Sequence, residues 1–200
     1  MTDTYLTIKE QSTGTYSEKR SKFLAFAFPT DSVDKVKALV AQYEKAYYDA
    51  RHVCYAYMLG HKREEFRAVD NGEPSGTAGK PILGQINSLG LTDVLVIVVR
   101  YFGGVKLGTG GLIVAYRRAA AEALGNAEIE ERTIDSQLTV TFEYPLLNQV
   151  MRIVKEEAPV ILKQDFQLQC VLHMKIRQSQ AARLAERLSD VRGVEIERLY

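Results

Sequence analysis

The sequence predicts an α+β protein of two domains, at residues 1–133 and 134–200, and three observations support this prediction. Strand-type alternation and helix-type spacing take turns along the chain. An acidic, weakly patterned segment at 128–135 separates two well-patterned regions. In the second region a strict period of two occurs twice, at 138–144 and 168–176.

The first region favours a sheet covered by helices. Pro29 ends the first stretch of strand alternation, and Ser32 is a good N-cap for the helix that follows. Pro81 fits the first turn of a second helix, and Gly125 and Asn126 form a good C-terminal cap for a third. The predicted strands are at 5–28, 52–59 and 94–99, with a turn at 60–65, and the predicted helices are at 33–47, 81–89 and 112–124.

The second region has the element order of a known fold. Its two alternating strands are joined by a helix that begins after Pro145 and a short strand at 160–162. A helix with Ala181, Leu184 and Leu188 on one face and a strand at 194–196 follow. The order β-α-β-β-α-β is the ferredoxin-like arrangement.

Composition favours a soluble, cytoplasmic protein without a membrane partner. Hydrophobic residues make up 46% of the chain and charged residues 26%, and the formal net charge is +1. Cys54 and Cys170 have no zinc-ligand spacing and are expected to be buried, reduced thiols. The N-terminus lacks a signal-peptide pattern, and the apolar run at 94–99 is too short to span a bilayer.

The segment at 70–118, called the glycine-rich surface below, concentrates basic charge. Between Pro74 and Ala121 there are five basic residues and one acid, Asp93, which gives a local excess of +4. Glycines allow a ligand to approach the backbone, and a helix N-terminus attracts anions. Tyr101 and Phe102 could stack on bases. These features together predict a site for an anionic ligand.

The glycine pattern does not fit two well-known nucleotide motifs. Thr109 stands where a P-loop needs its lysine, and Ile113 replaces the last glycine of the dinucleotide fingerprint. Three other residues leave an alternative open. His52, Asp70 and Glu73 could supply acid-base groups, but the pattern favours Asp70 and Glu73 as acceptors of backbone N–H groups in a turn and as caps of the next helix. No metal site is predicted.

Four motifs resemble those of the YigZ/IMPACT family, and they cover the first domain in order. They are Arg20-Ser-Lys-Phe23, His52-x-Cys54-x-Ala56-Tyr57, the run from Asp70 to Pro81 (DNGEPSGTAGKP), and the run from Val99 to Tyr116 that begins VRYFGG. Val114 departs from the family pattern, because members usually have a basic residue there.

The resemblance implies a fold and a context. The first domain is expected to be an α/β sandwich similar to the second domain of a small-subunit ribosomal protein. The second is expected to resemble a ferredoxin-like domain of elongation factor G. Eukaryotic IMPACT proteins act in translational control with a different extra domain. No established catalytic activity comes with the family, and no cofactor is predicted.

The sequence therefore favours a non-enzymatic, translation-linked regulator that binds RNA or the ribosome. One alternative is an enzyme for a small phosphorylated or nucleotide substrate that uses His52, Asp70 and Glu73. Another is a protein-docking module that uses the open sheet of the second domain. The residues expected to bind nucleic acid or an anion are Lys80, Arg100, Tyr101, Gly103, Gly104, Lys106, Gly108, Thr109, Gly110, Gly111 and Arg117.

Overall fold

The structure, a computed structural model, describes residues 3–199. These residues divide into two compact units by their internal contacts. The first unit comprises residues 5–132, and the second comprises residues 133–199 together with 3–4. The described chain has five α-helices and three sheets, which confirms the predicted α+β class. A segment as short as 3–4 carries no sequence pattern that could have assigned it to the second unit.

The first unit is built on an antiparallel five-stranded sheet in the order β2-β3-β6-β4-β5. Strands β1 and β7, at the two ends of this unit, form a separate two-stranded sheet. The strands are β1 (Thr4–Ile8), β2 (Ser12–Glu18), β3 (Ser21–Pro29), β4 (His52–Leu59), β5 (Glu65–Val69), β6 (Val94–Tyr101) and β7 (Ile129–Thr133), and the helices are α1 (Val33–Ala46), α2 (Gly79–Ser88) and α3 (Gly108–Gly125).

The central strand β6 is covered on both faces, as its continuous apolar run predicts. Val94, Val96 and Val98 face the core shared with α2 and α3. Leu95, Ile97 and Val99 face the core shared with α1. The unit therefore has three layers, and α2 and α3 lie on the same face of the sheet. This arrangement brings the two glycine-rich segments that precede α2 and α3 to one side of the unit.

The start of α1 is as predicted, but the start of α3 is not. The Ser32 side chain accepts a hydrogen bond from the Lys35 backbone N–H and caps α1. Helix α3 begins at Gly108, four residues before the predicted start. Glycine has a low helix propensity, so the sequence favoured a loop where tertiary structure supports a helical turn. The glycines at 108, 110 and 111 therefore belong to α3.

Two strands were not predicted. Strand β5 occupies the end of the expected turn, and its first three side chains are exposed. Strand β7 occupies the segment interpreted as the boundary between domains, and four of its five side chains are exposed. Both lack an apolar alternation because neither strand buries a full face, and alternation is the signal on which strand prediction depends.

The second unit has the predicted order of elements. Its antiparallel sheet has the strand order β11-β8-β10-β9, and α4 and α5 share one apolar core with it. Leu168 was expected to point inward, but it precedes β10 and is 93% exposed. The elements are β8 (Asp135–Glu143), a 3-10 turn (Tyr144–Leu146), α4 (Leu147–Glu157), β9 (Val160–Phe166), β10 (Gln169–Arg177), α5 (Gln178–Ser189) and β11 (Glu195–Leu199).

The face of this sheet opposite the helices is polar over β8 and β10. Thr139 and His173 lie directly opposite each other in the register, and the Thr139 Oγ1 atom is 3.1 Å from His173 Nδ1. Lys175 forms an ion pair with Asp135 at 2.7 Å. Among the described residues, no helix is long and apolar enough to cross a membrane.

The packing of α3 on β2 depends on Gly14. A Cβ at this position would lie 2.3 Å from the Ala123 backbone N and 2.6 Å from the Glu122 carbonyl carbon. We expect Gly14→Ala to lower the free energy of unfolding by about 2–3 kcal/mol, because helix backbone must move. Guanidinium chloride denaturation measures this change.

Gly84→Ala is the matched control for Gly14→Ala. Gly84 lies inside α2, and an added Cβ would meet no atom within 4 Å. Alanine is the better helix former by about 1 kcal/mol, so this variant should be as stable as the parent or more so. If both variants were destabilised equally, the close contact at Gly14 would not be the cause.

Candidate nucleic-acid and anion-binding site

Asp70 organises the loop that precedes α2. One carboxylate oxygen accepts the Gly76 N–H at 2.7 Å, and the other accepts the N–H groups of Ala78 and Gly79 at 3.0 and 2.8 Å. Burial opposes ionisation, but these three donors lower the pKa of the Asp70 carboxyl below its ordinary value. Asp70 therefore holds the loop and caps α2, as the turn interpretation predicts.

Glu73 is the buried centre of the site. Its Oε1 atom accepts a hydrogen bond from Arg100 Nη1 at 2.6 Å and another from the Tyr116 hydroxyl at 2.8 Å. Glu73 is 8% exposed and Arg100 is 6% exposed, so this is a buried ion pair. It joins three segments: the loop after β5, strand β6 and helix α3.

Arg100 lies between two aromatic rings. Its guanidinium carbon is 5.6 Å from the centre of the Phe23 ring and 5.7 Å from that of Phe102, within the range of cation–π contacts. Arg100 Nε is buried and has no hydrogen-bond partner among the described residues. The sequence placed Arg100 among exposed phosphate contacts, but its side chain is enclosed and bound to Glu73.

His52 lies against the same carboxylate. Its Nδ1 atom is 3.0 Å from the Asn71 carbonyl oxygen, which can only accept, so Nδ1 carries the proton of that hydrogen bond. The Nε2 atom lies 3.8 Å from Glu73 Oε2. Gly72 covers the ring with φ at +89°, and a Cβ there would be 3.0 Å from His52 Nδ1. Only glycine fits both constraints at position 72.

These side chains line a cavity of about 590 Å³, called the His52–Glu73 cavity below. The loop after β5 and the β6–α3 connection form its sides. Asp70 is not part of the lining, so the structure brings together two of the three proposed acid-base residues. The lining that matters here consists of Arg51, His52, Glu73, Arg100, Phe102 and Lys106, with Leu107, Thr109 and Leu112 from the start of α3.

The N-terminus of α3 opens at this cavity. The N-cap residue, Leu107, offers no side-chain cap, and the N–H groups of Gly108, Thr109 and Gly110 have no acceptor within the helix itself. Their partial positive charge adds to that of Lys106, which is exposed beside them. The predicted combination of glycines, basic charge and a helix start is therefore present at one place.

A second depression lies between α2 and α3, and we call it the α2–α3 groove. Lys80, Gly84, Ile113 and Arg117 contribute to its lining, together with Gly76 from the loop. Lys80 and Arg117 are exposed, so two of the predicted basic residues share this groove. The basic side chains thus lie at two neighbouring depressions that both include the start of α2 or α3.

The remaining predicted residues have varied positions. The Tyr101 hydroxyl donates to Asp49 Oδ1 at 2.9 Å, and the exposed ring beside it is that of Phe102. The Gly103 N–H donates to Ser21 Oγ, so it is not available to a ligand. Gly104 is exposed, with φ at +86°, whereas Gly111 is half-buried inside α3.

Sequence reasoning did not single out Tyr116 or Arg51. Tyr116 was visible as part of a motif, but only its contact with Glu73 shows why a phenol stands there. Burial raises the pKa of the Tyr116 hydroxyl, and burial also raises the pKa of the neighbouring Cys54 thiol to about 12. Cys54 donates to the Asp70 carbonyl at 2.9 Å. A thiol with this pKa is not a nucleophile at neutral pH.

Within residues 3–199, no three histidine, cysteine, aspartate or glutamate side chains are placed so that they could hold a metal ion. What the site offers is a buried carboxylate with two donors, a histidine whose Nε2 lies 3.8 Å from that carboxylate, and exposed cations at a helix start. This combination suits recognition of an oxyanion.

Comparison with known proteins identifies the family. Residues 19–124 match the Impact N-terminal domain, and this range includes the cavity and the groove. The chain is 33% identical to IMPACT family member YigZ of Escherichia coli over 174 residues, which are 86% of this chain and 85% of that protein. It is 32% identical to IMPACT family member YvyE of Bacillus subtilis over 78% of this chain and 72% of that one.

A solved structure supports the same conclusion. A crystal structure described as that of a hypothetical protein aligns with a TM-score of 0.76 and 31% identity, covering 100% of this chain and 98% of the other. The chain therefore belongs to the IMPACT family. The predicted resemblances of its two domains to a ribosomal protein and to elongation factor G stay predictions.

The Glu73–Arg100 pair should dominate the stability of the site. We expect Glu73→Ala to lower the free energy of unfolding by about 3–5 kcal/mol, because it leaves the Arg100 guanidinium buried without a counter-charge. Tyr116→Phe removes one donor and leaves the pair intact, so we expect a loss of about 1–2 kcal/mol. Equal denaturation midpoints for the two variants would contradict this account.

Proposed function

We propose that this protein is a translation-linked, non-enzymatic factor that binds RNA, including ribosomal RNA, through the glycine-rich surface. The observation that supports it most is the position of the exposed cations. Lys106 lies at the uncapped start of α3, and Lys80 and Arg117 lie in the adjacent α2–α3 groove. A strand with phosphates along its length needs several such contacts in a row.

The acids near this surface do not cancel its charge. Glu73 is compensated by Arg100, and the Asp70 carboxylate is occupied by three backbone N–H groups. Asp93, the one acid between Pro74 and Ala121, accepts from the Gly60 N–H beside the β4–β5 turn. Lys80, Lys106 and Arg117 have no ion-pair partner among the described residues, so their charge is available to phosphates.

Phe102 adds a feature that RNA binding uses. It is 48% exposed and lies between the cavity and solvent. Exposed aromatic rings beside cations serve as stacking platforms for unpaired bases. The link to translation comes from the family, whose eukaryotic members act in translational control. The implied likeness to domains of a ribosomal protein and of elongation factor G belongs to the same proposal.

An enzyme for a small phosphorylated or nucleotide substrate is the second candidate. The observation that favours it is the convergence of His52 and Glu73 in a cavity, next to the helix start. Asp70 takes no part, because both of its oxygens hold backbone N–H groups. Catalysis would require turnover of a nucleotide, and loss of that turnover in His52→Ala would distinguish it from binding alone.

RNA affinity should depend on salt through the basic residues of this surface. We expect Lys80→Ala/Lys106→Ala to reduce the slope of log K against log salt by about 1.4, because each lost contact with a single strand contributes about 0.7. Fluorescence anisotropy with labelled single-stranded RNA at several salt concentrations measures the slope.

The matched control for this test is Lys37→Ala/Lys45→Ala. Lys37 and Lys45 are exposed on α1, which covers the opposite face of the sheet. Replacing them removes the same total charge. We expect the parent slope in this variant. If both double variants flattened the slope equally, binding would depend on net charge and not on the glycine-rich surface.

Gly110 should be needed for binding although it is not needed for folding. It is exposed in the first turn of α3, and an added Cβ would meet no atom within 4 Å. Alanine is better in a helix by about 1 kcal/mol, so Gly110→Ala should keep or raise stability. We expect it to weaken RNA binding, because a methyl group would obstruct a phosphate at the exposed N–H groups.

Gly125→Ala serves as the control for Gly110→Ala. Gly125 ends the same helix, and its Cβ would also meet open space. We expect a similar thermal stability and unchanged RNA affinity. An unchanged affinity in Gly110→Ala would show that the ligand does not approach the start of α3.

A further inference from the structure

The His52–Glu73 cavity has more room than contact with a sugar-phosphate strand requires. Its volume of about 590 Å³ lies within the range of about 300–1,000 Å³ that is common for small-molecule sites. Its lining combines charged groups with the side chains of Phe102, Leu107 and Leu112. A ligand that fits this lining has an anionic end and a flat apolar end.

Arg100 contributes a mostly buried guanidinium to the lining of this cavity. Its side chain is 7% exposed and belongs to the lining, and Glu73 engages it through Nη1. The Nε atom has no acceptor among residues 3–199. Because Nε is enclosed by protein, a ligand in the cavity reaches only the exposed part of the Arg100 side chain.

The charged groups of the lining favour an anion. Lys106 and Arg51 line the cavity and are exposed, and Thr109 lines it with a side-chain hydroxyl beside the uncapped start of α3. Helix α3 has 18 residues, so its N-terminal partial charge is fully developed. The Glu73 carboxylate does not reverse this preference, because Arg100 and Tyr116 compensate it.

The exposed ring of Phe102 in the lining favours a base. The Phe102 ring packs against the Arg100 guanidinium and is still 48% exposed, so one surface of the ring is free. Stacking of one base on an aromatic ring changes affinity by about fivefold to more than a hundredfold. Neither inorganic phosphate nor a nucleoside alone would contact both the charged groups and Phe102.

We infer that the His52–Glu73 cavity binds a nucleoside phosphate, with the phosphate near Arg100, Lys106 and the start of α3 and with the base on Phe102. Two sources carry this chemistry, a free mononucleotide and the phosphorylated end of an RNA strand. The second source rests on the proposed function, whereas the first is independent of it.

The test begins with isothermal titration calorimetry of the full chain with adenosine 5′-monophosphate, adenosine and inorganic phosphate. We expect adenosine 5′-monophosphate to bind at least about tenfold more tightly than adenosine or inorganic phosphate, because only the nucleotide contacts both the charged groups and Phe102. The same titrations are made with RNA oligomers of one sequence that carry a 5′-phosphate or a 5′-hydroxyl.

Single substitutions test the contact with the base and the contact with the phosphate independently. Phe102→Ala should weaken binding of the nucleotide at least about fivefold and leave binding of inorganic phosphate unchanged, because it removes the stacking surface. Lys106→Ala should weaken both ligands. Lys80 lies in the α2–α3 groove. Lys80→Ala should therefore leave the affinity for the mononucleotide unchanged while it lowers the affinity for RNA.

The outcomes distinguish the inference from the proposed function. Tighter binding of the 5′-phosphorylated RNA identifies the strand end as the source, and a preference for the mononucleotide alone identifies the free nucleotide. The inference is wrong if a 5′-phosphate tightens the binding of neither adenosine nor the RNA oligomer. It is also wrong if Phe102→Ala and Lys106→Ala bind the nucleotide as tightly as the parent does. RNA binding that remains sensitive to Lys80 in that case would leave the proposed function standing.

Discussion

The hydrogen-bonded cluster around Glu73 is the constraint on which the site depends. One carboxylate, buried between a loop, a strand and a helix, binds the guanidinium of Arg100 and the phenol of Tyr116. Removing either partner leaves charge or hydrogen-bonding capacity unsatisfied at a buried position. The loop that follows β5 is therefore tied to β6 and α3 where it lines the cavity. Asp70 stabilises the same loop from its beginning, so the acids of this region serve structure first and expose little negative charge.

Much of the fold could be predicted because most of its elements bury one face. The alternation in β8 and β10, the apolar run of β6 and the cap at Ser32 each report burial or hydrogen bonding directly in the sequence. Strands β5 and β7 were missed because most of their side chains are exposed, and pattern then carries no information. The start of α3 was missed for a different reason. Its glycines have low helix propensity, and tertiary packing overrides that preference.

The residues that form the site could largely be predicted, but the contacts between them could not. Local charge and glycine content pointed to Lys80, Lys106 and the start of α3, which the structure brings to two neighbouring depressions. The sequence could not show that Glu73 and Arg100, 27 residues apart, form a buried pair. It therefore counted Arg100 as an exposed cation and grouped Asp70 with Glu73. Partners of buried charges are set by tertiary structure, whereas exposed charges can be counted from the sequence alone.

The most direct test of RNA recognition is a ¹H–¹⁵N NMR titration of the full chain with a short single-stranded RNA. The titration reports which backbone amides change environment, without any substitution. The account predicts that shifts concentrate at residues 102–117 and in the loop at 72–80, with saturation at one RNA per chain. Shifts confined to the second unit, or absent from the start of α3 while RNA is bound, would contradict it.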